Sequence, residues 1–240
     1  MVLYALTISL SAQAQKFYEW KDGSYTERSL SEVDSITFTL PVVNFPKYAV
    51  DLGLPSGTIW ADRNIGADSP ESYGDYYAWG EIVAKSYYSW STYKWCNGNG
   101  SSMTKYSTNT SYGHNGFTDG KTILEASDDV AYADWEKKWR MPSRTEFSEL
   151  LNECTWVQVT NNGVNGYRVT GPNGKSIFIP MAGSRSGSSI KNLGTNGYYW
   201  TSSLNENYPY EARGSYIGTS GCGLDKCNRY EGRTVRAVLR

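Results

Sequence analysis

The chain has 240 residues and a net charge of −1, from 23 basic and 24 acidic residues spread along its length. That length holds one large domain, or one domain with a small appendage, and the charge balance argues against a nucleic-acid or polybasic membrane surface. Gly (24), Tyr (20) and Trp (9) are abundant, and sustained Leu/Ala/Glu/Lys periodicity is missing; this excludes a long helical bundle and points to short strands, tight turns and long ordered loops.

In chain order, the apolar run Val2 to Leu10 precedes Ala12-Gln13-Ala14, a small-x-small cleavage pattern, so residues 1–14 read as a signal peptide. No Lys or Arg precedes the run, and no lipobox Cys follows it. The run is too short to span a bilayer. The expectation is an exported protein, secreted or at the cell surface, with the periplasm as the alternative, that does not span the membrane. Residues 15–40 form a small β-rich segment: Phe17 to Trp20, an Asp22-Gly23 turn, and the alternating Ser35 to Leu40 read as short strands. Residues 41–47, with two Pro, read as a linker.

The main domain is expected over 48–240. Ala49 to Leu52 and Thr58 to Ala61 read as strands around the Leu54-Pro55-Ser56-Gly57 turn. Residues 86–120 are rich in Ser, Thr, Asn, Gly and Tyr, which implies a functional loop or a loop-rich fold. A first helix is predicted from about Asp128 to Trp135. A second follows Ser143-Arg144-Thr145-Glu146, a capping box, with Phe147, Leu150, Leu151 and Cys154 on one apolar face. Residues 166–170 and 176–180 flank Gly171-Pro172-Asn173-Gly174, a hairpin signal. Later strands are expected at Gly197 to Ser202, about Glu211 to Ile217, and Thr234 to Leu239. This order makes the domain α+β, with short antiparallel strands, two helices and long ordered loops. Most of the Trp residues are expected to pack the core.

Several strings stand together in this chain: Val50 to Ala61 (VDLGLPSGTIWA), Tyr73 to Glu81 (YGDYYAWGE), Trp139 to Ser143 (WRMPS), Gly197 to Ser203 (GYYWTSS) and Val235 to Val238 (VRAV). In this order they resemble the Fibrobacter succinogenes major paralogous domain, abundant in exported Bacteroidetes proteins. The resemblance covers roughly residues 48–240, and its motifs are specific jointly rather than singly. It implies a C-type-lectin-like fold related to the formylglycine-generating enzymes. The chain also resembles target proteins of diversity-generating retroelements, whose variable region lies between a Trp-Ser-Ser-like strand and a Val-Arg-Pro-Val-like strand. Here Trp200 to Ser203 and Val235 to Val238 occupy those places, with Thr201 for Ser and Ala237 for Pro.

The segment between these brackets is rich in Asn, Tyr, Gly and Ser, a mix in which Tyr gives contact area at low entropic cost and Asn and Ser give adaptable hydrogen bonds. Asn205, Glu206, Asn207, Tyr208, Tyr210, Glu211, Arg213, Tyr216, Asp225, Asn228 and Tyr230 are therefore the candidate ligand-binding residues, expected mostly exposed and clustered on one surface. If 211–217 is a strand, Glu211, Arg213 and Ser215 share one side, and Ala212, Gly214 and Tyr216 the other. The expected partner is a protein or glycan, not nucleic acid. An adhesin-like surface protein is the second reading, which a large exposed apolar patch outside 204–230 favours.

Little points to catalysis. The only histidine, His114, lies in a Gly-rich stretch, so neither a Ser-His-Asp triad nor a multi-histidine zinc site is available. Asp128 and Asp129 open a helix, where negative charge is favourable. The tripeptides Glu-Pro-Asn, Gln-Pro-Asp and Trp-Asn-Asp typical of calcium-dependent C-type lectins do not occur. No enzyme activity, metal or cofactor is expected. The four cysteines, Cys96, Cys154, Cys222 and Cys227, allow three pairings that the sequence does not choose between. Cys222 and Cys227 are close enough in sequence to close a small disulfide loop. The same pair resembles the copper-binding cysteines of formylglycine-generating enzymes, which makes a copper-dependent oxidase the enzymatic alternative.

Overall fold

The structure, a computed structural model, describes residues 16–21, 24–29 and 46–239. The expected signal peptide, the expected strand from Ser35 to Leu40, and the expected linker apart from residues 46 and 47 lie outside these. Contacts divide the chain into units 1–44 and 45–240. In the first, β1 (Lys16–Lys21) and β2 (Ser24–Ser29) pair as an antiparallel hairpin, with Lys16 opposite Ser29 and Lys21 opposite Ser24.

The second unit is α+β with mostly antiparallel sheets. Its first strands, β3 (Ala49–Asp51) and β4 (Ile59–Asn64), flank the expected turn, in which the Gly57 amide donates to the Leu54 carbonyl at 2.9 Å. They join β5 (Trp139–Arg140) and the last strand, β14 (Arg236–Leu239), in the order β3-β4-β14-β5. The beginning and end of the unit are thereby held in one sheet.

Helix α1 (Val130–Asp134) is shorter than predicted. Residues 126–128 coil as a 3-10 turn, and the Asp129 carboxylate caps α1 by accepting from the Ala131 and Tyr132 amides. Helix α2 (Arg144–Glu153) begins at the predicted capping box: Ser143 Oγ accepts from the Glu146 amide at 3.2 Å, and the Glu146 carboxylate accepts from the Ser143 amide at 2.8 Å. Phe147 and Leu150 on its apolar face are fully buried, each contributing roughly 1.5–3 kcal/mol by leaving water. Cys154 is the C-cap and packs partly buried beside them.

Three further sheets follow. Strands β6 (Thr155–Asn161), β7 (Val164–Thr170) and β8 (Ser176–Pro180) make an antiparallel meander, and β9 (Ser184–Ser186) and β10 (Ser189–Lys191) a short hairpin. The β7–β8 hairpin is the predicted one. The β6–β7 turn is Asn162-Gly163, both at positive φ (47° and 80°), the conformation that suits a two-residue hairpin. Strands β11 (Asn196–Leu204), β12 (Glu211–Gly218) and β13 (Gly221–Asn228) form the last meander.

One core lies under α2, where Leu52, Trp60, Ile179, Tyr199, Ile217 and Val238 meet Phe147 and Leu150. A second gathers Trp79, Trp139, Trp200, Tyr106, Val235 and Ala237. Trp60, Trp79, Trp139 and Trp200 are buried, and Trp90, Trp95, Trp135 and Trp156 pack against the cores, as the composition leads one to expect. Arg236 is fully buried and donates to Asn64 Oδ1 (2.9 Å) and to the carbonyls of Ala61 (3.2 Å) and Phe178 (3.0 Å), tying β4 to β8. Burial lowers its pKa to about 10. Among the described residues no helix is long and apolar enough to cross a membrane.

Candidate functional site

The β11–β12–β13 sheet has two distinct faces. Its register sets Tyr199, Ser215, Ile217, Cys222 and Leu224 on the side covered by α2. The other side carries Tyr198, Trp200, Gly214, Tyr216, Gly223, Asp225 and Cys227. As predicted for β12, Glu211, Arg213 and Ser215 share one side and Ala212, Gly214 and Tyr216 the other. Between Trp200 and Leu204 the register with β12 shifts, and β11 turns to a new neighbour. The Leu124 amide donates to the Ser202 carbonyl (3.0 Å) and the Leu204 amide to the Thr122 carbonyl (2.8 Å). That exchange knits the long excursion between β4 and β5 onto the sheet.

The 205–210 loop is closed on itself. The Asn205 amide donates to the Glu211 carbonyl (3.1 Å), the Tyr208 amide to the Asn205 carbonyl (3.1 Å), and the Glu211 amide to the Tyr208 carbonyl (2.8 Å). Asn205 Nδ2 also donates to Glu211 Oε2 (2.7 Å), which is paired with Lys226 Nζ (3.1 Å). Thr108 Oγ1 donates to the Glu206 carbonyl (2.7 Å) and links this loop to the one carrying Tyr112. Where the two loops meet, the rings of Tyr112, Tyr208 and Tyr210 come together pairwise: Tyr112–Tyr210 at 5.1 Å, Tyr208–Tyr210 at 5.9 Å and Tyr112–Tyr208 at 6.4 Å. Lys226 Nζ lies 5.2 Å from the centroid of the Tyr208 ring. Tyr208 is 43% exposed, and Tyr112 and Tyr210 are half-buried.

One side chain pins both loops from below. Arg229, the residue after β13, is fully buried and, among the described residues, has no carboxylate as a hydrogen-bond partner. It donates to Tyr93 Oη (2.8 Å) and to the carbonyls of Lys105 (3.0 Å), Tyr106 (3.1 Å) and Pro209 (2.9 Å), with Trp79 and Tyr93 rings against its plane at 4.9 and 5.2 Å. A delocalised, weakly hydrated guanidinium suits such a site, because its fork satisfies several fixed carbonyls at once. The Lys105 and Tyr106 carbonyls lead into the Tyr112 loop, and Pro209 separates Tyr208 from Tyr210. The ring triad is therefore held on an ordered base.

The candidate residues do not form one surface. Glu206, Asn207, Tyr208, Tyr210 and Glu211 gather at the triad, where Asn228 lies opposite Glu211 in the β12–β13 register. Tyr216 (38% exposed) and Asp225 belong to a second patch, with Tyr198 and Arg233, roughly 20 Å along β12 from Tyr210 at about 3.3 Å per residue. There Arg233 pairs with Asp225 (2.9 Å) and packs against Tyr198 and Trp200 at 5.1 and 4.7 Å. Gly214 leaves room for it: a Cβ there would stand 3.0 Å from Arg233 Nη1 and 2.5 Å from the Tyr199 carbonyl oxygen. Arg213, half-buried on the other face, accepts from Thr201 Oγ1 through its carbonyl (2.9 Å). Tyr230 packs edge-on against Trp90 at 4.8 Å.

Three expectations need correction. Asn205 is 1% exposed, and its amide closes the loop instead of facing a ligand. Tyr210, Asp225, Asn228 and Tyr230 are half-buried, so the set is not mostly exposed. Cys222 and Cys227 are free, and they sit five residues apart in one continuous strand. An odd offset sends their side chains to opposite faces, with Cα atoms about 16 Å apart, against the roughly 7 Å a disulfide tolerates. Cys222 packs below α2 and Cys227 packs in the Trp79 core. Burial pushes the Cys227 thiol up to about 12 and raises that of Cys222, so neither is a thiolate near neutrality. The two sulfurs thus offer no shared site for copper.

Sequence reasoning missed Tyr112, Lys226 and Arg229. Tyr112 stood in an aromatic loop stretch with nothing to single it out, and the 221–228 segment, Gly-Cys-Gly-Leu-Asp-Lys-Cys-Asn, carries no strand signal. Among the described residues the His114 ring nitrogens meet the side-chain amides of Asn97 (3.4 Å) and Asn115 (3.3 Å). No family model, curated protein or solved structure matches the chain.

Proposed function

We propose that this chain is an exported recognition protein whose tyrosine triad, Tyr112, Tyr208 and Tyr210, is the ligand-binding surface. The observation that carries the reading is the combination of exposure and fixation. Large rings reach solvent on loops whose backbone is bonded internally and anchored by a buried arginine. Aromatic side chains held in this way lose little entropy on binding, which turns contact area into affinity. The Lys226–Glu211 pair beside them supplies polar partners of both signs. The ligand is a protein loop or a glycan, either of which stacks on rings and hydrogen-bonds at their rim.

The scaffold reading is a C-type-lectin-like domain of the Fibrobacter succinogenes major paralogous type, and the target proteins of diversity-generating retroelements share its pattern. The two helices, the long ordered excursion, and first and last strands in one sheet support it. So does the position of the tyrosine loop between strands that carry the Trp200 and Val235 brackets.

The test is binding to an array of immobilised oligosaccharides and to a displayed panel of extracellular protein domains. The expected result is retention of at least one probe by the parent, weakened about tenfold or more by Tyr208→Ala. Retention that is indifferent to Tyr208→Ala and Tyr112→Ala, or no retention on either panel, overturns the reading.

A further inference from the structure

Free sheet edges are usually guarded, because unpaired backbone groups invite another strand. Among the described residues most edges here follow that rule. β13 carries Asp225 and Lys226, β3, β5 and β10 are two or three residues long, and β8 is largely buried. Strand β6 does not. It is an edge strand of seven residues, Thr155-Trp156-Val157-Gln158-Val159-Thr160-Asn161, with no charge, no proline and no bulge in its pairing to β7.

The register tells which groups it presents. Asn161 and Val164 close the two-residue Asn162-Gly163 turn, so they form a hydrogen-bonded pair. Pairs alternate from there, so Val159 and Val157 also bond to β7. The amides and carbonyls of Trp156, Gln158 and Thr160 therefore point outward, spaced two residues apart as a second strand requires. Val157 is 49% exposed on the face that also carries Val159.

The sequence of the edge also fits itself. Around Gln158 the neighbours are Val157 and Val159, then Trp156 and Thr160, then Thr155 and Asn161. Two copies running antiparallel with Gln158 opposite Gln158 would exchange both backbone bonds at that residue. Val157 of each would face Val159 of the other, and no like charges would meet. An antiparallel pair of identical strands has two-fold symmetry and closes at two copies.

We infer that β6 is a self-association edge: two copies of this chain join through antiparallel β6–β6 pairing centred on Gln158, continuing the β6–β7–β8 sheet across the two-fold axis. The contact is short compared with a standard interface, so the dimer is weak and reversible. Its effect is to carry two recognition surfaces on one particle, which raises avidity for a repeated ligand without new contacts.

The experiment uses the full chain. Sedimentation velocity from micromolar to millimolar protein should show a reversible shift from monomer to dimer. Val157→Lys, a change at an exposed position, should abolish it. Gln158→Pro should also abolish it while leaving the β6–β7 ladder intact, because that amide is not used in the ladder. The thermal midpoints of both variants, measured alongside, report that the fold survives. A cysteine scan fixes the register. Gln158→Cys faces its own copy at about 5.5 Å between Cα atoms and should crosslink under mild oxidation, whereas Thr155→Cys should not. A monomer at every concentration, a dimer unaffected by Val157→Lys, or equal crosslinking of both cysteine variants overturns the inference. Glycan and domain binding by Val157→Lys tests the recognition surface separately, since Val157 is remote in sequence from the triad and makes no part of it.

Discussion

Replacing Arg229 by Met removes the charge and all donors of a fully buried side chain while keeping most of its volume. Four oxygen acceptors then lose their partner: Tyr93 Oη and the carbonyls of Lys105, Tyr106 and Pro209, bonded at 2.8–3.1 Å. A buried acceptor left unpaired costs about 1–3 kcal/mol, and water entering the gap recovers part of it. The low end for four acceptors puts the loss near 4 kcal/mol, a large share of the roughly 5–15 kcal/mol that holds a domain together. Removing a buried cation can be neutral where its ion partner goes too. Here the partners are three backbone carbonyls and a tyrosine oxygen, and all four stay. Urea unfolding followed by tryptophan fluorescence reads the loss through Trp79, 4.9 Å from the guanidinium. Limited proteolysis should also cut the 105–121 region faster in the variant. Arg229→Lys should fall between the two, because an ammonium cannot reach the same four acceptors in one plane. A loss below about 1 kcal/mol, with unchanged proteolysis, would refute the claim that this residue fixes the two loops.

Three further outcomes follow from the geometry. Gly214→Ala should destabilise by about 1–3 kcal/mol in the same urea assay, because the added methyl would stand 2.5 Å from the Tyr199 carbonyl oxygen. Burial works to raise the Glu146 carboxyl, but the Arg140 guanidinium and the Ser143 amide outweigh it and hold it below the ordinary carboxylate value. Its contribution is thus present above the ordinary glutamate pKa and lost as pH falls through that value toward the folded one. Glu146→Gln should lower stability at neutral pH and flatten the acid limb of the stability profile. Alkylation of the unfolded, unreduced protein followed by peptide mass analysis should find Cys96, Cys154, Cys222 and Cys227 all modified, with no crosslinked peptide joining Cys222 to Cys227.

Local chemistry was the legible part of this chain. Ser143 and Glu146 announce the start of α2 because a capping box is a contact between near neighbours, and the β7–β8 hairpin is written in Gly171 to Gly174 for the same reason. The Asn162-Gly163 turn is equally readable, but β6 gives a weaker signal, because Trp156 and Val157 set two apolar residues side by side and break its alternation. β13 was hidden by composition: its glycines and polar residues form a strand only because β12 supplies the partner groups. The two-face arrangement of β12 was foreseen from side-chain alternation, and that same rule, applied to β13, separates Cys222 from Cys227. What could not be read was long-range. Arg229, Arg233 and Arg236 look like surface residues in the sequence, and their burial depends on carbonyls and rings brought from far along the chain. Tyr112 joins Tyr208 and Tyr210 only through the fold of the long loop.

In the proposed function the tyrosine triad, and not the Tyr216–Asp225 patch, is the recognition surface. Calorimetric titration of the best-retained array probe decides it when the Tyr112→Ala/Tyr208→Ala double variant is compared with Tyr216→Ala. The double variant should lose about 100-fold or more in affinity, with its thermal midpoint near that of the parent, and Tyr216→Ala should change within about twofold. Full affinity in the double variant, or a large loss confined to Tyr216→Ala, would contradict it.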